Sequence, residues 1–316
     1  MKQQSLMEHT PGKIPVKLRA FFVILIVVIV FYFMTRTAIL NWNRVPLKEL
    51  HFKLGYLMFS FSILFFTFFL GAYAWKLVLS KFGENLSFLK SLQIISLTQG
   101  GRYIPGKIWA LAGQAYLAQK ENISFQSAMT TVILMNIGYI IASLLVAFCF
   151  GGLYYGQHSV INLFLLIMVL IGGLISIHPY IVNRLIRISE KIFKKEFLNY
   201  DIRMTYSDSL KLVFIFIVGC ILQGIALFCF INSFYDLSVQ SIIPLIGINA
   251  SAFAIGFLAV IMPAGIGVRE GVLSYLLSFY MPPSIAVISS ILARVWITIG
   301  ELVLFLIFAK NLKRYI

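Results

Sequence analysis

Six uninterrupted apolar runs constrain the fold of this chain more than any other feature of its sequence. They cover residues 18–40, 54–79, 124–150, 160–180, 210–235 and 284–309. A helix needs about 20 apolar residues to cross the hydrocarbon core of a bilayer, and each run meets that length. Apolar residues make up 60% of the chain and charged residues only 12%. The runs are also continuous, whereas the strands of a membrane barrel alternate apolar and polar residues. We therefore predict an all-α integral membrane protein, with residues 1–316 as a single membrane domain.

Two further apolar regions, at 86–119 and 241–281, are interrupted near their centres. The interrupting residues are Gly100, Gly101, Pro105 and Gly106 in the first region, and Pro263, Gly265 and Gly267 in the second. Glycine permits turns and close backbone approach, and proline removes a helical hydrogen bond. Each arm of the first region has about 12–16 residues, too few to cross the bilayer, so we predict a re-entrant hairpin there. The second region has one long and one short arm, and it fits either a hairpin or a crossing pair.

Basic residues lie mainly on one side of this predicted topology. If the N-terminus is cytoplasmic, 18 of the 26 basic residues fall in cytoplasmic segments. Four lie on the outer side, at Arg36, Arg44, Lys48 and Lys53, and the other four lie within apolar regions. This distribution follows the positive-inside rule, and it predicts a multi-pass protein of the cell (inner) membrane with both termini in the cytoplasm. The net charge of +15 is then explained by anionic lipid headgroups, and no nucleic-acid partner is expected.

The order of these elements repeats along the chain. Each half reads span, span, broken region, span, with halves at about 15–150 and 160–312 and a polar connector at about 181–209. The connector is a candidate for an amphipathic helix. An odd number of crossings per half would invert the second half relative to the first. Inverted halves with broken helices are a recurrent plan of transporters, with the substrate site near the bilayer midplane.

Six ionisable residues fall at or near the two breaks and in the last span. They are Arg102, Lys107, Arg269, Glu270, Arg294 and Glu301. Charges are costly in hydrocarbon, so each indicates a partner, a ligand or a water-filled cavity. One interpretation is structural: Arg294 and Glu301 are seven residues apart, on one helical face, and pair with residues of the breaks, while Glu270 complements the dipole of its helix. The alternative is that the excess positive charge, with the helix N-termini at the breaks, binds an anion.

Other kinds of chemistry have little support in the sequence. The three cysteines lie in apolar runs and the four histidines match no metal-ligand spacing, so we expect no metal site. Only 11 acidic residues are present, and they form no catalytic cluster. We therefore expect no catalytic residues and no cofactor, and we do not expect an enzyme.

The stretch Gly101-Arg102-Tyr103-Ile104-Pro105-Gly106-Lys107-Ile108-Trp109 resembles the first signature of the flippase-like family related to the transmembrane region of lysylphosphatidylglycerol synthases. The stretch Pro263-Ala264-Gly265-Ile266-Gly267-Val268-Arg269-Glu270 resembles the second signature of that family. The resemblance covers about residues 15–312 and implies a bundle of transmembrane and re-entrant helices. In the full synthases this region is associated with moving a modified phospholipid between leaflets, while a separate cytoplasmic domain makes that lipid. No such domain follows the last span here, so the resemblance implies a stand-alone member without the synthase activity.

These observations predict a lipid translocase of the cell envelope for an anionic phospholipid or a polyprenyl-phosphate-linked glycolipid. Arg102, Lys107 and Arg269 would meet the headgroup phosphate, with Arg294 nearby, and the two glutamates would orient these cations or relay protons. One alternative is a membrane enzyme acting on lipid-linked sugars, which needs an acid near the membrane surface as base or metal ligand. The other is a non-transporting scaffold of an envelope-synthesis complex. The oligomeric state is left open.

Overall fold

The structure, a computed structural model, describes residues 53–103, 108–152, 205–259 and 265–310, together with the single residues 172 and 180. Eight α-helices lie in these ranges: α1 (Leu54–Lys81), α2 (Phe88–Thr98), α3 (Ile108–Gln119), α4 (Phe125–Val146), α5 (Tyr206–Asn232), α6 (Ile242–Leu258), α7 (Val268–Leu277) and α8 (Pro283–Ala309). A 3-10 turn at Gln99–Tyr103 follows α2, a π-helical turn at Ala147–Gly152 continues α4, and a 3-10 turn at Val239–Ser241 precedes α6. No β-strand occurs in the described ranges. The all-α fold is confirmed.

Five described segments are long and apolar enough to cross a membrane: Leu54–Lys81, Phe125–Gly151, Tyr206–Asn232, Val239–Leu258 and Pro283–Ala309. Four of them correspond to spans predicted from the sequence, and the fifth is the long arm of the second broken region. The spans predicted at 18–40 and 160–180 lie outside the described residues. The chain is therefore a multi-pass membrane protein, while the sidedness of its termini stays a prediction.

The two broken regions contain short helices. α2 has 11 residues and α3 has 12, so each rises less than about 20 Å and is too short to cross the bilayer alone. In the second region α6 has 17 residues and α7 has 10. The sequence therefore identified one long and three short arms correctly.

α5 begins earlier than its apolar run indicated. The predicted connector extends to residue 209, but the helix starts at Tyr206 because Thr205 and Asp208 form a capping box. The backbone N–H of Asp208 donates to Oγ1 of Thr205 at 3.3 Å, and the backbone N–H of Thr205 donates to Oδ2 of Asp208 at 3.1 Å. These bonds satisfy N–H groups that a helix start leaves without partners. Residues 181–204 lie outside the described part of the chain.

Corresponding helices of the two predicted halves make corresponding contacts. α1 packs along α5, α2 packs against α8, and α6 packs against α4. In the two predicted halves α1 corresponds to α5, α2 to α6 and α4 to α8. If corresponding helices are exchanged, these three contacts are unchanged. The single membrane domain, the boundaries of its halves and the inversion of the second half stay predictions.

The core beside the broken regions is largely aromatic and aliphatic. Trp296 of α8 is 3% exposed, and its ring stacks on Phe230 of α5 with centroids 5.1 Å apart. Phe61 of α1 meets the same indole edge-on. These contacts pack one face of α8 against α1 and α5, and polar residues of α8 reach both breaks.

Candidate functional site at the two helix breaks

The first break places Arg102 in the 3-10 turn that follows α2. Gly101 lies so close to α3 that a Cβ atom there would be 2.8 Å from the backbone nitrogen of Ala110. Gly100 has open space around the equivalent position. Close approach of the two arms therefore requires glycine at Gly101, and the sequence did not distinguish the two positions. Pro105, Gly106 and Lys107 lie outside the described residues.

Arg102 forms an ion pair with a residue of the last helix. Its Nη1 donates to Oε1 of Glu301 at 2.9 Å. The Glu301 side chain is only 6% exposed, while that of Arg102 is 36% exposed. A buried carboxylate needs a partner of opposite charge, so this pair holds the first break against α8.

The second break is shaped by two glycines with positive φ. Gly265 has φ 67° and Gly267 has φ 84°, conformations that side chains with a Cβ rarely adopt. α7 then begins at Val268, and Oε2 of Glu270 accepts a hydrogen bond from the backbone N–H of Gly267 at 2.6 Å. Glu270 therefore caps its own helix, and a side chain of the protein already occupies part of the expected anion site at this N-terminus. Pro263 lies outside the described residues.

Glu270 also connects the second break to α8. Its other oxygen, Oε1, lies 3.5 Å from Nη1 of Arg294. Arg294 and Glu301 thus face opposite breaks from a single helix, one with a positive charge and one with a negative charge. The structural interpretation of these charges describes this arrangement well: α8 is joined to each break by one ion pair.

Arg269 differs from the other two arginines. Within the described residues it forms no ion pair with a carboxylate. Its guanidinium lies over the ring of Phe253 of α6 instead, with Cζ 5.9 Å from the ring centroid. Arg269 interacts electrostatically with Arg294, Glu270 and Arg102, so the two breaks and α8 meet at one place. There the described residues contribute three arginines and two glutamates.

A narrow cleft with a cavity volume of about 10 Å³ runs between α7 and α8. It is lined by Arg269, Glu270, Leu273, Ser290, Ala293, Arg294 and Ile297. A second cleft of about 10 Å³ lies beside Glu301 and Gln99, and its other walls are mostly apolar. The charged residues of the site therefore border two narrow clefts beside α8.

Sequence reasoning missed three residues of this site. The guanidinium of Arg269 lies over the ring of Phe253, and Tyr139 of α4 packs edge-on against that ring. Gly256 leaves room for Arg269 to approach α6. Each looks like an ordinary residue of an apolar span when read along the chain. The polar tip of Tyr139 in the middle of a span was the one available signal, since buried tyrosine hydroxyls need partners.

Metal chemistry has no evident ligand set here. Among the residues that the structure describes, no group of three or more His, Cys, Asp or Glu side chains is placed to hold a metal ion. The described part of the site offers guanidinium groups and carboxylates beside narrow clefts.

A family model described as the lysylphosphatidylglycerol synthase TM region matches residues 20–304. No curated protein matches the chain. The matched span includes both breaks and both α8 residues that pair with them.

Proposed function

This chain belongs to the lysylphosphatidylglycerol synthase TM-region family, and on that premise we propose that it is a translocase for an anionic membrane lipid. The observation that carries the proposal is the charge balance at the breaks. The described part of the site holds three arginines and two glutamates, and both glutamates are paired with arginines other than Arg269.

Excess positive charge in a membrane interior favours an anionic ligand. An unmatched charge in hydrocarbon is costly, and an anion that enters the site removes the cost. Guanidinium groups present planar sets of donors that match two oxygens of a phosphate at once. A phospholipid or a polyprenyl-phosphate-linked sugar brings such a phosphate to this depth, since its chains stay in the bilayer.

The cleft beside Arg269 and Arg294 is narrow. Its cavity volume is about 10 Å³, which is room for about one water molecule. In this proposal α7 and α8 therefore move apart to admit a phosphate, and the hydrocarbon chains of the lipid stay outside. Lys107 adds a further positive charge to the sequence beside the first break, and we include it among the headgroup residues together with Arg102, Arg269 and Arg294.

In this proposal the ion pairs to α8 couple the two breaks to each other. Movement of α8 relative to either break would exchange an internal partner for the lipid phosphate or for water. We propose an inner-membrane location with cytoplasmic termini, and membrane lipids as the partners. The described residues form no soluble catalytic domain, and the family is a transmembrane region, so the proposed activity is transport.

The test is a flipping assay with the purified full-length chain in proteoliposomes. Fluorescent phosphatidylglycerol and phosphatidylcholine are reconstituted in parallel, and an impermeant quencher reports the fraction of each in the outer leaflet. We expect the wild type to accelerate exchange of phosphatidylglycerol, and Arg269→Gln to lose most of that acceleration. Lys120→Gln is the matched control, because Lys120 lies over the ring of Tyr116 at the end of α3, away from the site.

Three outcomes would contradict the proposal. Equal exchange with and without protein would exclude translocation of these lipids. Product formation from a lipid-linked sugar donor would indicate that the chain is a membrane enzyme acting on lipid-linked sugars. Full activity in cells of a folded variant that lacks Arg102, Arg269 and Arg294 would indicate that it is a non-transporting scaffold of an envelope-synthesis complex.

A further inference from the structure

We propose that Arg269 is the residue that contacts the anionic headgroup and that Phe253 positions it by replacing a carboxylate partner. The inference rests on the proposed function and divides the roles of its three arginines. Arg102 and Arg294 join helices, whereas Arg269 keeps its hydrogen-bond donors for the ligand.

The difference between the arginines lies in the chemistry of their partners. A carboxylate accepts the N–H groups of a guanidinium in a forked geometry, so it competes with a phosphate for the same donors. An aromatic ring attracts the cation through its face and accepts none of the strong hydrogen bonds. Arg102 donates a hydrogen bond to Glu301 at 2.9 Å, and Arg294 forms a longer ion pair with Glu270 at 3.5 Å. Arg269 lies over the ring of Phe253, so its charge is stabilised while its donors stay available.

The ring under Arg269 is itself held in place. Tyr139 of α4 meets Phe253 edge-on, with centroids 4.6 Å apart and an interplanar angle of 79°. Tyr139 meets Phe216 of α5 in the same way at 5.4 Å. Three helices therefore support one ring. We call Phe253, Tyr139 and Phe216 the aromatic shelf.

The backbone also places Arg269 on this shelf. Gly256 lies three residues after Phe253 in α6, and a Cβ atom at Gly256 would be 2.8 Å from Cβ of Arg269. Contact this close is possible only because Gly256 has no side chain. Residues three apart share a helical face, so the approach at Gly256 brings the guanidinium over the ring of Phe253. From there Arg269 lines the cleft between α7 and α8.

The experiment measures lipid binding by the full-length chain in detergent micelles. The probes are fluorescently labelled phosphatidylglycerol and phosphatidylcholine, and the readout is fluorescence anisotropy. Phe253→Leu keeps an apolar side chain and removes the ring face, so we expect phosphatidylglycerol binding to weaken about 2- to 25-fold. Arg269→Gln should weaken it about 10- to 100-fold. Phe253→Tyr and Phe253→Trp restore a ring face and should bind like the wild type.

Controls separate this role from simple packing. Phe69→Leu removes a ring of α1 that, among the described residues, meets Phe88 of α2 edge-on, and it should leave lipid binding unchanged. A packing defect would weaken the binding of both lipids, whereas loss of the aromatic shelf should weaken only the binding of phosphatidylglycerol. Excess soluble glycerol phosphate should not displace labelled phosphatidylglycerol, and full displacement would overturn the assignment to a lipid.

The outcomes distinguish this inference from the proposed function. If the wild type binds both lipids equally, the proposed function fails. If it prefers phosphatidylglycerol and Arg269→Gln binds as well as the wild type, Arg269 is not the contact. If Arg269→Gln binds weakly but Phe253→Leu does not, the shelf has no positioning role. Should Phe253→Leu not fold, Phe253→Met makes the same comparison, and loss of binding in both Phe253→Tyr and Phe253→Trp would also overturn the inference.

Discussion

Arg102 and Glu301 are 199 residues apart in the chain, and they form a 2.9 Å ion pair that joins the first break to the last helix. Seven residues before Glu301, Arg294 makes the corresponding contact with Glu270 of the second break. The polarity is reversed between the two pairs: α8 supplies the acid to one break and the base to the other. α8 therefore contacts both breaks at once.

The first prediction concerns the energy of that pair. Arg102→Ala leaves the buried carboxylate of Glu301 without this partner, so we expect a loss of about 1–3 kcal/mol in the free energy of unfolding. Arg102→Ala combined with Glu301→Ala should cost less than the sum of the single changes, with a coupling of about 0.5–3 kcal/mol. Unfolding in mixed micelles measures both.

The exposed pair of Lys53 and Asp236 is the matched control for this cycle. Its side chains are 45% and 76% exposed, and exposed pairs contribute about 0–1 kcal/mol. Equal coupling energies for the two pairs would contradict the structural importance of Arg102 and Glu301.

The second prediction concerns Gly256. A methyl group there collides with Cβ of Arg269, so Gly256→Ala should move α7 away from α6 at a cost of about 1–3 kcal/mol. Phosphatidylglycerol binding should weaken in the same variant, because Arg269 leaves the aromatic shelf.

Gly71→Ala in α1 is its control. No atom lies within 4 Å of a Cβ placed at Gly71, so alanine should be neutral or should stabilise the helix by up to about 1 kcal/mol. If both variants behave alike, the close approach at Gly256 is not needed.

The third prediction concerns the turn before α7. Gly267 has φ 84° and ψ −46°, outside the left-handed helical region, and alanine in such a conformation costs about 1–3 kcal/mol. Gly267→Ala and Gly267→Asn should therefore both destabilise the chain and displace Glu270 from its capping bond, because asparagine is better tolerated than alanine only in the left-handed helical region.

Gly271, four residues later within α7, provides the comparison, because nothing lies within 4 Å of a Cβ built there. Gly271→Ala should be tolerated. Heat unfolding followed by size-exclusion chromatography ranks the stability of Gly267→Ala, Gly267→Asn and Gly271→Ala. If Gly267→Ala unfolds at the same midpoint temperature as the wild type, a side chain at this turn causes no strain.

The fourth prediction concerns the start of α5. Thr205→Ala removes the oxygen that accepts from the N–H of Asp208, so it should cost about 1 kcal/mol. Ser207→Ala, two residues later on the exposed side of the same turn, should change the free energy by less than about 0.5 kcal/mol. Chemical unfolding of both variants decides whether the capping box fixes this helix start.

Much of the candidate site was visible in the sequence. Charges inside apolar regions are rare enough to be noticed one by one, and the breaks were marked by glycine. Which charge pairs with which was not visible, because Arg102 and Glu301 meet only when α2 and α8 pack together. Phe253 was also hidden, because a phenylalanine in an apolar span has no local feature that separates a ring facing lipid from a ring facing a guanidinium.

The sequence by itself determined that this is a helical membrane protein with two broken regions, because the length of an apolar run and the position of a helix breaker are properties of a local segment. Only the tertiary structure decided that Glu270 and Glu301 are paired with Arg294 and Arg102 and that Arg269 lies on an aromatic ring. The physical reason is that ion pairs and cation–π contacts depend on distances of a few ångströms between helices far apart in the chain, and the packing of the bundle sets those distances.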